Sequence, residues 1–149
     1  MFKAVLPCAA ALVLIVASAA MADDDGGVSC NPEGSQQEMN ACSHDDYQKA
    51  DRELNDAYRQ ALDFASGEDS DLKDQPDLQG AVATLKRAQR GWIDYRNGQC
   101  ESYGFTARGG SMEPMLIDGC KADLTRKRTA ELKALINGSD METDNGGDK

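Results

Sequence analysis

Ala88-Gln89-Arg90-Gly91-Trp92-Ile93-Asp94-Tyr95-Arg96-Asn97-Gly98-Gln99-Cys100 is the stretch that decides the fold of this 149-residue chain. It holds the only tryptophan, together with a tyrosine, two arginines and a cysteine. Residues three and four apart share a helix face, so Leu85, Ala88, Trp92, Tyr95 or Arg96, and Gln99 or Cys100 line one side of a helix. Trp92 and Tyr95 on that side read as packing residues. Arg90 and Arg96 carry planar forks suited to bracing carboxylates such as Asp51 or Asp46 on a facing helix. A face of this kind needs neighbours, and the chain supplies one amphipathic segment on either side of it.

Working back, Ser35-Gln36-Gln37-Glu38 matches the capping box that opens a helix. An apolar stripe follows through Met39, Cys42 or Ser43, Tyr47, Ala50, Leu54, Ala57 or Tyr58, Ala61 and Ala65, with Gly67 as the expected stop. Residues 66–76 are acidic and poor in large apolar groups, which reads as a solvated connection. Asp74 or Asp77 is the expected cap of the middle helix, with Pro76 in its first turn, Leu78 on its stripe and Gly104 at its end. Gly80, Gly91 and Gly98 within it predict close approach by a neighbouring helix. Working forward, residues 105–110 form a loop and Ser111-Met112-Glu113-Pro114 reads as the next cap. The third stripe runs Met112, Met115 or Leu116, Cys120, Leu124, Lys127 or Arg128, Leu132 and Leu135, ending at Asn137-Gly138.

No segment alternates over a strand's length, so the expected fold is all-α: a small antiparallel three-helix bundle over residues 23–136. Cys30, Cys42, Cys100 and Cys120 form two disulfides if the chain is exported, each contributing about 2–4 kcal/mol. Three pairings are possible. The expected hairpin register levels Cys42, Cys100 and Cys120, which inclines toward Cys42 with Cys100 and Cys30 with Cys120.

Residues 1–22 read as a secretory leader: Lys3, an apolar run from Ala9 to Ala17, and Ala20-Met21-Ala22 before the cut. Cys8 precedes most of the apolar run and leaves with it. The product is expected in the periplasm or outside the cell, cleaved after Ala22. Residues 137–149 read as a disordered acidic tail. The chain carries 16 basic and 26 acidic residues. Lys3 alone falls in the leader, so the remainder has a net charge near −11. Such a surface repels nucleic acid and anionic head groups and favours a cationic partner.

Chemistry is sparse. His44 stands alone, without the close ligand spacing of a metal site, no Cys-x-x-Cys lowers a thiol pKa, and the acids are dispersed over helix faces. The pattern points to no cofactor, no metal and no catalysis. Arg108, Gly109, Gly110, Ser111 and Glu113 belong to the one glycine-rich turn between two helices, and so form the best candidate for insertion into a partner's cleft.

Glu38-Met39-Asn40-Ala41-Cys42, Tyr47, Ala50-Asp51, Leu54-Asn55 and Tyr58 occur in order with Ala88 to Arg96, Cys100, Gly109-Gly110-Ser111-Met112, Cys120, Leu124-Thr125, Arg128 and Glu131-Leu132. In this pattern the chain resembles the LprI-type lysozyme-inhibitor family of small exported four-cysteine proteins, over roughly residues 30–135. The resemblance implies inhibition of a lysozyme and carries over no contact residue. The rival reading is a periplasmic binding, immunity or envelope module with no lysozyme target.

Overall fold

A computed structural model describes residues 28–138. Three helices, α1 (Gln36–Asp71), α2 (Ala81–Gly104) and α3 (Glu113–Asn137), form the expected all-α bundle tied by two disulfides. The leader and the acidic tail from residue 139 lie outside the described residues.

α1 begins where its capping box lies: the Ser35 amide donates to Glu38 Oε2 at 2.7 Å and the Glu38 amide donates to Ser35 Oγ. At 1.5 Å per residue its 36 residues reach about 54 Å. Ala50, Leu54, Ala57, Ala61 and Ala65 are buried along it, and these mostly small side chains let α3 pack close. Leu54, Ala57, Ala61 and Ala65 join Leu85 and Leu132 in the apolar core, against which Tyr58, Leu62, Val82, Trp92 and Ile136 pack. The core therefore sits in the half of the bundle nearer the α1–α2 connection.

That connection differs from expectation. α1 runs through Gly67 to Asp71, because its last turn has a partner: the Asp69 carboxylate accepts the amides of Gly80, Ala81 and Val82 at 2.7, 2.8 and 3.2 Å. Asp69, not Asp74 or Asp77, thus satisfies the free amides that open α2. Pro76–Leu78 is a separate 3-10 turn, Leu78 is exposed, and Gly80 precedes α2 with φ 136°, which glycine tolerates.

The middle helix turns a different edge inward. Leu85, Gln89, Arg96, Cys100 and Gly104 are buried and Trp92 is half-buried, whereas Ala88, Gln99 and Tyr95 are exposed, Tyr95 by 56%. Packing therefore accounts for Trp92 but not for Tyr95. On α3 the buried face is Ala122, Thr125, Thr129 and Leu132, while Met112 and Leu135 are exposed. Thr125 is buried as an oxygen acceptor for the Arg96 guanidinium, and Thr129 one turn on satisfies its hydroxyl by donating to the Thr125 carbonyl. A Cβ on Gly91 or Gly98 meets nothing within 4 Å, so neither marks a close approach inside the bundle; the close approach is at Gly104, where a Cβ would come within 2.5 Å of Ile117.

The bridges are Cys30–Cys42 and Cys100–Cys120, which overturns the expected pairing. The Arg96–Asp51 contact places Cys100 level with Tyr47, about 7 Å of helix rise from Cys42. Gly104 against Ile117 and Arg96 against Thr125 set the α2–α3 register that does level Cys100 with Cys120. Cys42 is left to the lead-in, which doubles back through the turn closed by Gly34 and Asn31.

Candidate functional site

The α1 N-terminus, both disulfides and the α2–α3 loop gather at the end of the bundle away from the apolar core. A 3-10 turn at Phe105–Ala107 starts the loop. Thr106 Oγ1 donates to the Tyr103 carbonyl at 2.9 Å, and the amides of Arg108 and Gly110 donate to the carbonyls of Phe105 and Ala107. Gly109 has φ 75°, a left-handed conformation that lets its amide point back at α3.

Glu113 ties the loop. Its Oε2 accepts the Gly109 amide at 2.8 Å and its Oε1 accepts Arg108 Nη1 at 2.7 Å. The Gly109 hydrogen bond, with Arg108 beside it, holds the Glu113 carboxyl below its usual value. The Arg108 guanidinium also lies over the Phe105 ring, 4.5 Å from its centroid. From α1, Asn40 Nδ2 donates to the Ser111 carbonyl at 2.9 Å. Ser111 is not the helix cap; Met112 stands at that position and no side chain caps it.

Arg108, Gly109, Gly110 and Ser111 are therefore exposed side by side, and Glu113 lies beneath them as their anchor. Phe105 and Met112, 61% and 45% exposed, extend the same protrusion. The sequence reading puts Phe105 in the loop and Met112 on the apolar stripe of the third helix and makes neither a contact residue; apolar side chains on either side of the arginine and glycine pair are the signal. The result is a braced knob with one cation and apolar flanks, its backbone amides at Arg108, Gly109 and Gly110 bonded within the loop and to Glu113.

The second predicted cluster lies deeper. Arg96 is 6% exposed; its Nη1 donates to Asp51 Oδ1 at 3.0 Å and to Thr125 Oγ1 at 3.3 Å. Its guanidinium lies 5.2 and 5.1 Å from the ring centroids of Tyr47 and Trp92. Burial raises the Tyr47 hydroxyl above its usual value. Asp46 pairs with Arg126 of α3, and Arg90 is exposed. Arg128 Nε donates to Gln89 Oε1 at 3.1 Å, a second α2–α3 link. His44 Nδ1 lies 3.0 Å from Asp118 Oδ2, a link between α1 and α3. Among the described residues no three His, Cys, Asp or Glu side chains group to hold a metal.

Charge is segregated. α1 carries ten acidic and three basic residues, α2 two acidic and four basic, and α3 four acidic and five basic. One flank of the bundle is thus strongly negative and the other slightly positive.

A family model described as lysozyme inhibitor LprI matches residues 29–132, which span the whole bundle up to Leu132. An uncharacterized protein of Rhizobium meliloti (strain 1021) is 52% identical over 112 residues, covering 74% of this chain and 81% of that protein. No solved structure matches the chain. Bundle, cysteines and matched span agree, and the chain belongs to the lysozyme inhibitor LprI family.

Proposed function

We propose that this protein is an exported, non-catalytic inhibitor of a cationic lysozyme, and that the loop from Phe105 to Met112 enters the enzyme's cleft. A lysozyme cleaves its glycan between two carboxyl groups in a groove. Arg108 offers that groove a cation, Gly109 and Gly110 offer slim backbone, and Phe105 and Met112 offer apolar contact. The observation that carries this reading is the Glu113 clamp on Arg108 and Gly109. A loop held in one shape before binding loses less freedom on docking. The acidic α1 flank supports the same partner by drawing a cationic enzyme in, raising the association rate more than the final affinity.

The leader pattern read in residues 1–22 supports export. The test is inhibition of purified lysozymes of the animal c-type and g-type and of bacterial wall hydrolases. The chain should inhibit at least one, and replacing both Arg108 and Ser111 with alanine should weaken that inhibition at least tenfold without lowering the thermal midpoint. An unchanged inhibition constant in the folded variant removes the loop from the reading; no inhibition of any enzyme removes the function.

A further inference from the structure

Among the described residues, α2 leaves one face without a partner. Thr84, Ala88, Gly91, Tyr95, Gly98 and Ser102 follow one another at steps of three and four, the repeat of a helix–helix seam, and all are exposed. Tyr95 projects from the middle of this face, and Gly91 and Gly98 flank it with open space above them. Beside it the boundary with α3 opens into two hollows. One, of about 330 Å³, is almost wholly apolar and includes Phe64, Leu85, Ala88 and Leu135. The other, of about 540 Å³, includes Tyr95, Tyr103 and Leu124.

Charge selects the occupant. A cationic partner is drawn to α1, not to this slightly basic flank. Within α2 the exposed charges are polar along the axis: Lys86, Arg87 and Arg90 in the first half, Asp94 and Glu101 in the second, with Arg96 already committed to Asp51. A helix charged in that way complements itself when run antiparallel. We propose that a second copy of this chain covers the face, the two α2 helices packing antiparallel about a twofold axis beside Tyr95. Gly91 then faces Gly98 of the partner subunit, so that the backbones approach closely, and Arg87 faces the partner subunit's Glu101. Arg90, one turn before Asp94, offsets the carboxylates that approach at the axis. The two acidic α1 helices stay on the outside, where they repel least, and the two α2–α3 loops remain open at opposite ends of the dimer.

The pairing is testable by sedimentation equilibrium on the chain from Asp23 onward. Wild-type protein should sediment with twice the chain mass at about 100 µM, a concentration that reveals even micromolar association. Arg87→Glu and Glu101→Arg should each weaken dimerisation at least tenfold, and the two together should restore it. Gly91→Gln with Gly98→Gln should give a monomer whose helical circular dichroism and thermal midpoint are retained or raised. A wild-type monomer at that concentration, a double reversal no better than either single one, or an unimpaired dimer in the glutamine variant would overturn the proposal.

Discussion

Arg96 of α2 reaches Asp51 of α1 across 3.0 Å while its own side chain is almost entirely enclosed. The guanidinium spans the bundle: Tyr47 lies on one side, Trp92 on another, and Thr125 of α3 accepts its remaining reach. All three helices therefore meet on one cation at the level where the apolar core ends. Removing it leaves Asp51 with the Asn55 amide alone on its other oxygen, takes the guanidinium donor from Thr125, and opens a void between two rings. Arg96→Ala should destabilise the fold by about 3 kcal/mol, the usual scale for breaking a buried pair, as read from urea unfolding. Arg96→Lys should recover less than half of that loss, because an ammonium cannot lie flat between the rings while reaching both oxygens.

Trp92 sits against the same guanidinium and the apolar core. Trp92→Ala should cost roughly 3 kcal/mol or more. It should reduce lysozyme inhibition only in proportion to the fraction unfolded. A variant with an unchanged thermal midpoint and no inhibition would make Trp92 a contact residue instead.

Asp69 joins α1 to α2 by accepting three amides, first that of Gly80, and these hold its carboxyl below the ordinary value of 3.8. A depressed carboxylate stabilises the fold above its unfolded pKa, and that contribution disappears as pH falls through the lower folded value. Asp69→Asn should therefore lower the thermal midpoint at neutral pH. It should also flatten the loss of stability that wild-type protein shows on acidification below about pH 4. Equal acid profiles in the two proteins would remove Asp69 as the cap.

The glycines of α2 separate by what surrounds them. Gly104 lies against Ile117, and Gly104→Ala should destabilise by about 1–3 kcal/mol through overpacking. Gly91→Ala and Gly98→Ala stand in open space in the bundle and should each stabilise the dilute monomer by roughly 1 kcal/mol.

Features set by neighbouring residues were legible in the sequence: the Ser35–Glu38 capping box, the glycine stops at Gly104 and Gly138, and the three helices themselves. Arg96 with Asp51 was also legible, since a fork on one stripe and a carboxylate on another predict a brace once the helices are antiparallel. The disulfide pairing was not. It depends on a register shifted by the extra turn of α1 beyond Gly67, and that turn exists because Asp69 caps a helix that starts twelve residues later. The inward edge of α2 was hidden for a related reason. Gln89 and Arg96 look like surface residues until Arg128, Thr125 and Asp51 arrive from other helices to satisfy them. At the loop, the glycines showed where the chain turns, but the carboxylate that makes the turn rigid lies on the next helix.

That carboxylate supplies the sharpest test of the proposed contact surface. Glu113 Oε2 accepts Gly109 and Oε1 accepts Arg108, while Phe105, Arg108 and Met112 face solvent. Glu113→Ala removes no exposed contact atom, yet it frees both groups and leaves the left-handed turn at Gly109 unsupported. The disulfides and the α1–α3 packing are untouched, so the thermal midpoint should fall by only a few degrees, the scale of about 1 kcal/mol in a domain of this size. Inhibition should weaken about tenfold, because ordering the loop must then be repaid on binding at about 1–2 kcal/mol per residue fixed. Glu113→Gln should fall between the two, since an amide oxygen can still accept from Gly109 but no longer pairs with the Arg108 charge. Full inhibition by Glu113→Ala would mean that the rigid loop is not the surface the enzyme meets.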